Sequence, residues 1–172
     1  MKKWLFLLLL LYCCTGSFSQ VLKKYPINFS GCSAYFFCDP GAFAVDYSDD
    51  SSKVYTGECT NQETSYGIIC VKLKDTVANI NDAEELLVSY LDYLKKNFKI
   101  VSSAGYGKGH RLKDRENTRG IIDYWKDEEK NNWKIKGWTD GKFIGVLYTY
   151  SKKDLSETMA NVFLDGFRLP GM

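Results

Sequence analysis

His110 is the only histidine in the chain, and that narrows the available chemistry more than any motif does. A serine or cysteine nucleophile is usually activated by an imidazole base, so a hydrolytic triad here would have to use His110. It ends the stretch Gly105-Tyr106-Gly107-Lys108-Gly109-His110, and Arg111 follows. Neighbouring cations depress an imidazole pKa rather than orient the ring. The same stretch has the glycines and cations of a phosphate cradle. It lacks the spacing and terminal Lys-Ser/Thr of a P-loop, and no strong helical pattern follows it. A flexible strand or hairpin end is the reading it supports. A glycosidase can work with two carboxylates and no histidine, but nothing in the sequence singles out a pair. A small secreted hydrolase using His110 or a carboxylate pair therefore stands second to a non-catalytic binding or assembly domain.

Metal chemistry fares no better. Cys32, Cys38, Cys59 and Cys70 contain no Cys-x-x-Cys pair and have one histidine to share, so a zinc site is not expected. Asp46, Ser48 and Asp50 begin like a calcium loop, but Ser51 stands where glycine is needed and Gly57 where a bidentate glutamate belongs. A solvated hairpin turn is the better reading, and no metal or cofactor is called for.

The chain opens with Lys2 and Lys3, an apolar run from Trp4 to Tyr12, and small residues at Ser17 and Ser19. This is the pattern of a secretory signal peptide over residues 1–19, and its apolar run is too short for a comfortable membrane span. Cys13 and Cys14 invite a lipoprotein reading, but Tyr12 and Cys13 precede them where a small residue is wanted. Cleavage before Gln20 is expected, giving a secreted or periplasmic protein. Residues 20–30 read as a lead-in and 31–172 as one domain, expected to be monomeric. Residues 1–19 carry two lysines and no acids, so the remainder balances 21 basic against 21 acidic side chains. That balance argues against nucleic acid as the partner. In an exported chain the four remaining cysteines favour two disulfides, with three possible connectivities. Cys32 can join Cys38 only if the chain turns between them.

Periodicity supplies the elements that must position these groups. Hairpin strands are expected at Ala42–Tyr47 and Lys53–Thr60, with further strands at Ser65–Leu73 and Lys99–Ala104. A helix from about Asp82 to Phe98, capped by Asn81 with Glu84, carries Leu87, Leu91, Leu94 and Phe98, and Leu86, Tyr90 and Tyr93 widen the stripe. A second helix is expected over Asp154–Leu164, capped by Asp154 with Glu157. Between them lies a three-strand meander from Thr118 to Tyr150. Asp140-Gly141 suits the centre of a type I′ hairpin. That sets Trp138 opposite Phe143 and Trp133 opposite Tyr148. Trp133, Ile135, Gly137, Ile144, Val146 and Tyr148 then share one face. For the earlier pair, Tyr124 is placed opposite Trp133 and Asp123 opposite Lys134, and a slip of one residue would instead turn Ile121 and Trp125 inward.

The other face gathers Trp125, Lys134, Lys136, Trp138 and Phe143. Aromatics beside lysines would make a platform for a protein or carbohydrate partner. A covering helix or N-terminal segment would instead make this face a second core layer, and three large aromatics are costly to leave wet.

The element order, with Tyr90-Leu91-Asp92-Tyr93-Leu94, Gly137-Trp138-Thr139-Asp140-Gly141-Lys142-Phe143 and Phe163-Leu164-Asp165-Gly166-Phe167-Arg168, resembles the PsbP-like superfamily over about Phe43 to Leu169. That group includes extrinsic photosystem subunits and a nuclear-import factor that binds the GTPase Ran. The resemblance implies an α+β sandwich, with an antiparallel sheet of about six to seven strands and two main flanking helices. It implies a binding or assembly module and transfers no catalytic residue.

Overall fold

A computed structural model describes residues 21–113 and 115–172; the expected signal peptide lies outside them. The fold is α+β and its main sheet is antiparallel. The strands are β1 (Lys23–Pro26), β2 (Ser33–Phe36), β3 (Ala44–Tyr47), β4 (Lys53–Asn61), β5 (Thr64–Lys72), β6 (Ile100–Ser103), β7 (Gly107–His110), β8 (Arg119–Asp127), β9 (Asn132–Thr139) and β10 (Phe143–Ser151). The helices are α1 (Ile80–Asn97) and α2 (Glu157–Leu164), with a short 3-10 turn at Asn28–Ser30. β3, β4, β5, β10, β9, β8 and β6 lie side by side in that order, and β7 also pairs with β8. The main sheet thus has eight strands and β1–β2 form a separate hairpin, more than the six to seven expected. The eighth strand is β7, from the Gly-rich stretch; like β1 in the lead-in and β2 just after it, it has four residues and carries too little alternation to read from sequence.

Local chemistry sets the ends of both helices differently from expectation. The cap of α1 is Asn79, whose side chain accepts the Asn81 amide at 2.9 Å. The cap of α2 is Ser156, which accepts from Met159, so that helix starts after Asp154 rather than at it. Both caps follow the preference for a short oxygen-bearing side chain at the first turn.

The last hairpin is shifted by two residues. Trp138 pairs with Gly145 and Trp133 with Tyr150. The turn is centred on Gly141-Lys142, where only Gly141 has positive φ, at 82°, the pattern of a type II′ turn. The Asp140 carboxylate accepts the amides of Lys142 and Phe143 at 2.9 and 2.8 Å. A Cβ on Gly141 would meet the Val77 carbonyl at 2.2 Å, so glycine is needed for space as well as for φ. A shift of two preserves the faces, and Trp133, Ile135, Ile144, Val146 and Tyr148 do lie together under α1.

The β8–β9 pair shows the one-residue slip. Trp125 faces Trp133 and Asp123 faces Ile135. The loop explains it. Asp127 accepts Asn131 N, Asn131 Nδ2 and Trp133 Nε1, each at 2.8 Å, and Lys130 adopts φ 66°. That is a three-residue loop closed by a left-handed residue. Ile121 and Trp125 therefore join the core under α1.

The sheet carries a core on each face. α1 rests chiefly on β9, β8 and β6. The opposite face holds Phe36, Trp138, Phe143, Leu147, Phe163, Phe167 and Leu169, supplied by β2, the meander, α2 and the C-terminal tail. The tail is pinned by reciprocal backbone bonds between Ser33 and Arg168, at 3.0 and 2.8 Å. One disulfide, Cys38–Cys59, ties the end of the β1–β2 layer to β4. Cys32 and Cys70 are free and buried in that core. Cys32 does not bridge to Cys38, and one of the two expected bridges is formed. Among the described residues no helix is long and apolar enough to cross a membrane.

Candidate functional site

The five platform residues do not form an exposed surface. Trp138 and Phe143 are each 2 % exposed, and α2 with the N-terminal hairpin covers them. Trp138 Nε1 donates to the Leu164 carbonyl at 3.2 Å, which docks its indole against the end of α2. Trp125 is on the opposite side of the sheet, because of the register slip, and its Nε1 donates to Asp123 Oδ2 at 2.5 Å. Lys134 is buried and pairs with Glu157 of α2, with its ammonium 5.1 Å from the Tyr124 ring centre. Lys136 pairs with Asp165 at 2.5 Å and lies 4.7 Å from the Trp138 ring centre. These lysines clamp α2 to the sheet. The expected Asp123–Lys134 pair is replaced by two others: Lys134–Glu157 and Lys95–Asp123 at 3.1 Å.

His110 lies on β7 at the sheet margin. Its pKa is lowered, first by desolvation and then by Lys136, with Asp165 opposing. The depressing cation comes from β9, not from Lys108 or Arg111 beside it in sequence. No hydrogen bond joins His110 to a described serine, cysteine or acid. The Asp46–Ser52 segment is a closed turn: Ser48 Oγ bonds Asp50, and Ser52 gives Asp50 its backbone amide at 3.1 Å and its hydroxyl at 2.8 Å. These donors hold the Asp50 carboxyl down at about 2. Among the described residues no group of three or more His, Cys, Asp or Glu is placed to hold a metal ion.

The site that the sequence left unnamed is a groove of about 560 Å³ between α1 and the β3–β5 side of the sheet. Because α1 is seated chiefly over β9, β8 and β6, the sheet beside it is capped less completely toward β4 and β3: Val54 and Leu73 are half-buried there, above a buried Val71 and Ile144. Val54, Val71, Leu73 and Ile144 make the floor, and Leu86, Tyr90 and Tyr93 of α1 make one wall. Asp46, Tyr47 and the β3–β4 turn make the other. The Tyr90 and Tyr93 rings stack at 6.0 Å between centres. Tyr93 and Tyr47 are 58 % and 60 % exposed, while burial, followed by Tyr93, pushes the Tyr90 phenol up to about 12. The sequence did carry a signal: Leu86, Tyr90 and Tyr93 make the apolar stripe of α1 wider than the strands beneath it can cover. No family model matches the chain, and no curated protein matches it.

Proposed function

We propose that this protein is an exported, non-catalytic binding domain whose ligand site is the groove between α1 and β3–β5, rather than the meander. One observation carries the reading: an open, aromatic-walled apolar groove on a sheet whose other broad surfaces are closed by α1, α2 and the N-terminal hairpin. Its volume falls in the range of specific ligand sites. The lining holds no histidine or cysteine, and its serines Ser48 and Ser52 are committed to Asp50. The order of strands and helices supports a PsbP-like assembly module, and the export pattern of residues 1–19 supports action outside the cytoplasm.

The test is a neutral solvatochromic dye, Nile red, with the parent protein and Leu86→Glu. Leu86 is 37 % exposed, so the substitution places a charge in the groove without opening the core. The parent should shift the dye emission to the blue, and the variant should lose that shift at an unchanged melting temperature. Dye binding that survives in Leu86→Glu would move the site elsewhere.

A further inference from the structure

We infer that the groove takes a cationic, amphipathic polypeptide segment in extended form, an inference that rests on the groove being the binding site. Its lining combines apolar floor and tyrosine walls with Asp46, Asp49 and Asp50, and contains no Lys, Arg or His. Asp82, exposed and one turn before Leu86 on the same helical stripe, extends the acidic rim. The Asp46 and Asp49 side chains have no cationic partner among the described ion pairs. Asp50 stays ionised at any ordinary pH, its carboxyl being held at about 2.

Size and chemistry then select the occupant. Leu86, Tyr90 and Tyr93 span eight residues of helix, seven rises or roughly 10 Å of wall. About three residues of extended chain match that length. Such a segment can place an apolar side chain against the half-buried Val54 and Leu73 and the exposed Leu86, and a Lys or Arg between the aspartates and the exposed Tyr93 ring; the Tyr47 ring already has Lys53 5.8 Å from its centre. The fold already uses that pairing elsewhere: Lys95 lies 4.1 Å from the Tyr106 ring centre, and Lys134 sits over Tyr124. The chain's own basic run, Lys108, Arg111, Lys113, Arg115 and Arg119, cannot fill the groove in the same molecule. It belongs to β7, β8 and their connection, at the margin of the sheet opposite β3.

The experiment measures fluorescence anisotropy of two labelled heptapeptides, one alternating Lys and Leu and one alternating Glu and Leu, on the disulfide-bonded full chain. The basic peptide should bind and the acidic one should not. Asp46→Asn with Asp49→Asn should weaken the basic peptide roughly three- to tenfold, as should about 0.5 M salt, and Tyr93→Ala should weaken it independently of salt. All these positions are exposed, and melting temperatures check that each variant folds. The inference is overturned if the acidic peptide binds equally well, if the substitutions leave the basic peptide unaffected, or if maltohexaose displaces it. Self-association at low salt that disappears with the two asparagines would assign the groove to a second copy of the chain instead. If neither peptide binds while Nile red still enters, the ligand class falls and the groove stands. If the dye is also excluded, the groove reading itself falls.

Discussion

Tyr148 shows how one side chain can carry a pH limit for the whole fold. Its ring packs against Phe98 and Trp133, each 5.5 Å away between centres. Its hydroxyl donates to Glu58 Oε2 at 2.8 Å. Burial first, and then the charge of Glu58, raise its pKa above the ordinary 10.0. The sign follows directly. The unfolded chain releases this proton near 10, while the folded one retains it. The contribution is therefore complete below about pH 10 and is lost as pH rises toward the folded value. Melting temperature should fall steeply above pH 10, and Tyr148→Phe should flatten that fall. The same substitution should cost about 0.5–1.5 kcal/mol at pH 7 through the lost hydrogen bond. An unchanged alkaline slope would contradict the burial of this phenol. A second residue-scale prediction concerns the thiols. The Cys70 pKa is raised by a hydrogen bond with Cys32, and burial adds to it. Both thiols should resist iodoacetamide in the native state. In denatured, unreduced protein without residues 1–19, and so without Cys13 and Cys14, the reagent should label two cysteines, Cys32 and Cys70, counted by peptide mass spectrometry. Label on Cys38 or Cys59 would break the observed pairing.

At the scale of elements, α2 is held by a buried lysine whose partner is wet. Lys134 is 2 % exposed along its side chain, while Glu157 is 66 % exposed. Burial disfavours the Lys134 ammonium, but Glu157 and Tyr124 more than offset that, and its pKa is raised. Removing the two partners should have unequal effects. Glu157→Gln leaves a buried charge without its counter-ion and should cost about 1–3 kcal/mol. Lys134→Met leaves only a solvated carboxylate and should be close to neutral. Urea midpoints of the two variants decide it, and equal losses would show that the ion pair is not buried as described. Trp138→Ala tests the other clamp. Truncating this indole should cost ~3–5 kcal/mol, and for a domain of this size that lowers the melting temperature by about 6–20 °C. A near-unchanged melt would restore the meander as an exposed surface.

At the scale of the molecule, the export pattern predicts a mature N-terminus at Gln20, read directly by mass spectrometry of protein recovered from outside the cytoplasm. A lipid-modified Cys14 would instead mean a membrane-anchored protein and overturn that prediction. Much of the rest was legible in the chain itself. Alternation and the stripe on α1 determined that an antiparallel meander with one apolar and one mixed face would meet a long helix, because both periods follow from backbone geometry alone. The identities of the buried residues at Trp133, Ile135, Ile144 and Val146 came with it. Register did not. It was decided by Asp127 and Asp140, whose carboxylates close the two turns onto backbone amides, and a turn's geometry is not contained in strand periodicity. Trp125, Lys134 and Trp138 were visible as residues able to bind. Whether Lys134 and Trp138 faced water depended on α2 and the β1–β2 hairpin folding back across the sheet, contacts far apart in sequence, and whether Trp125 did depended on the register slip that turned it under α1. The groove is the same lesson in reverse. Its walls come from the β3–β4 turn and from α1, and it exists because α1 rests chiefly over β9, β8 and β6 and leaves the β4 side of that face only half covered. That offset is a property of packing between elements, so only the tertiary structure could decide it.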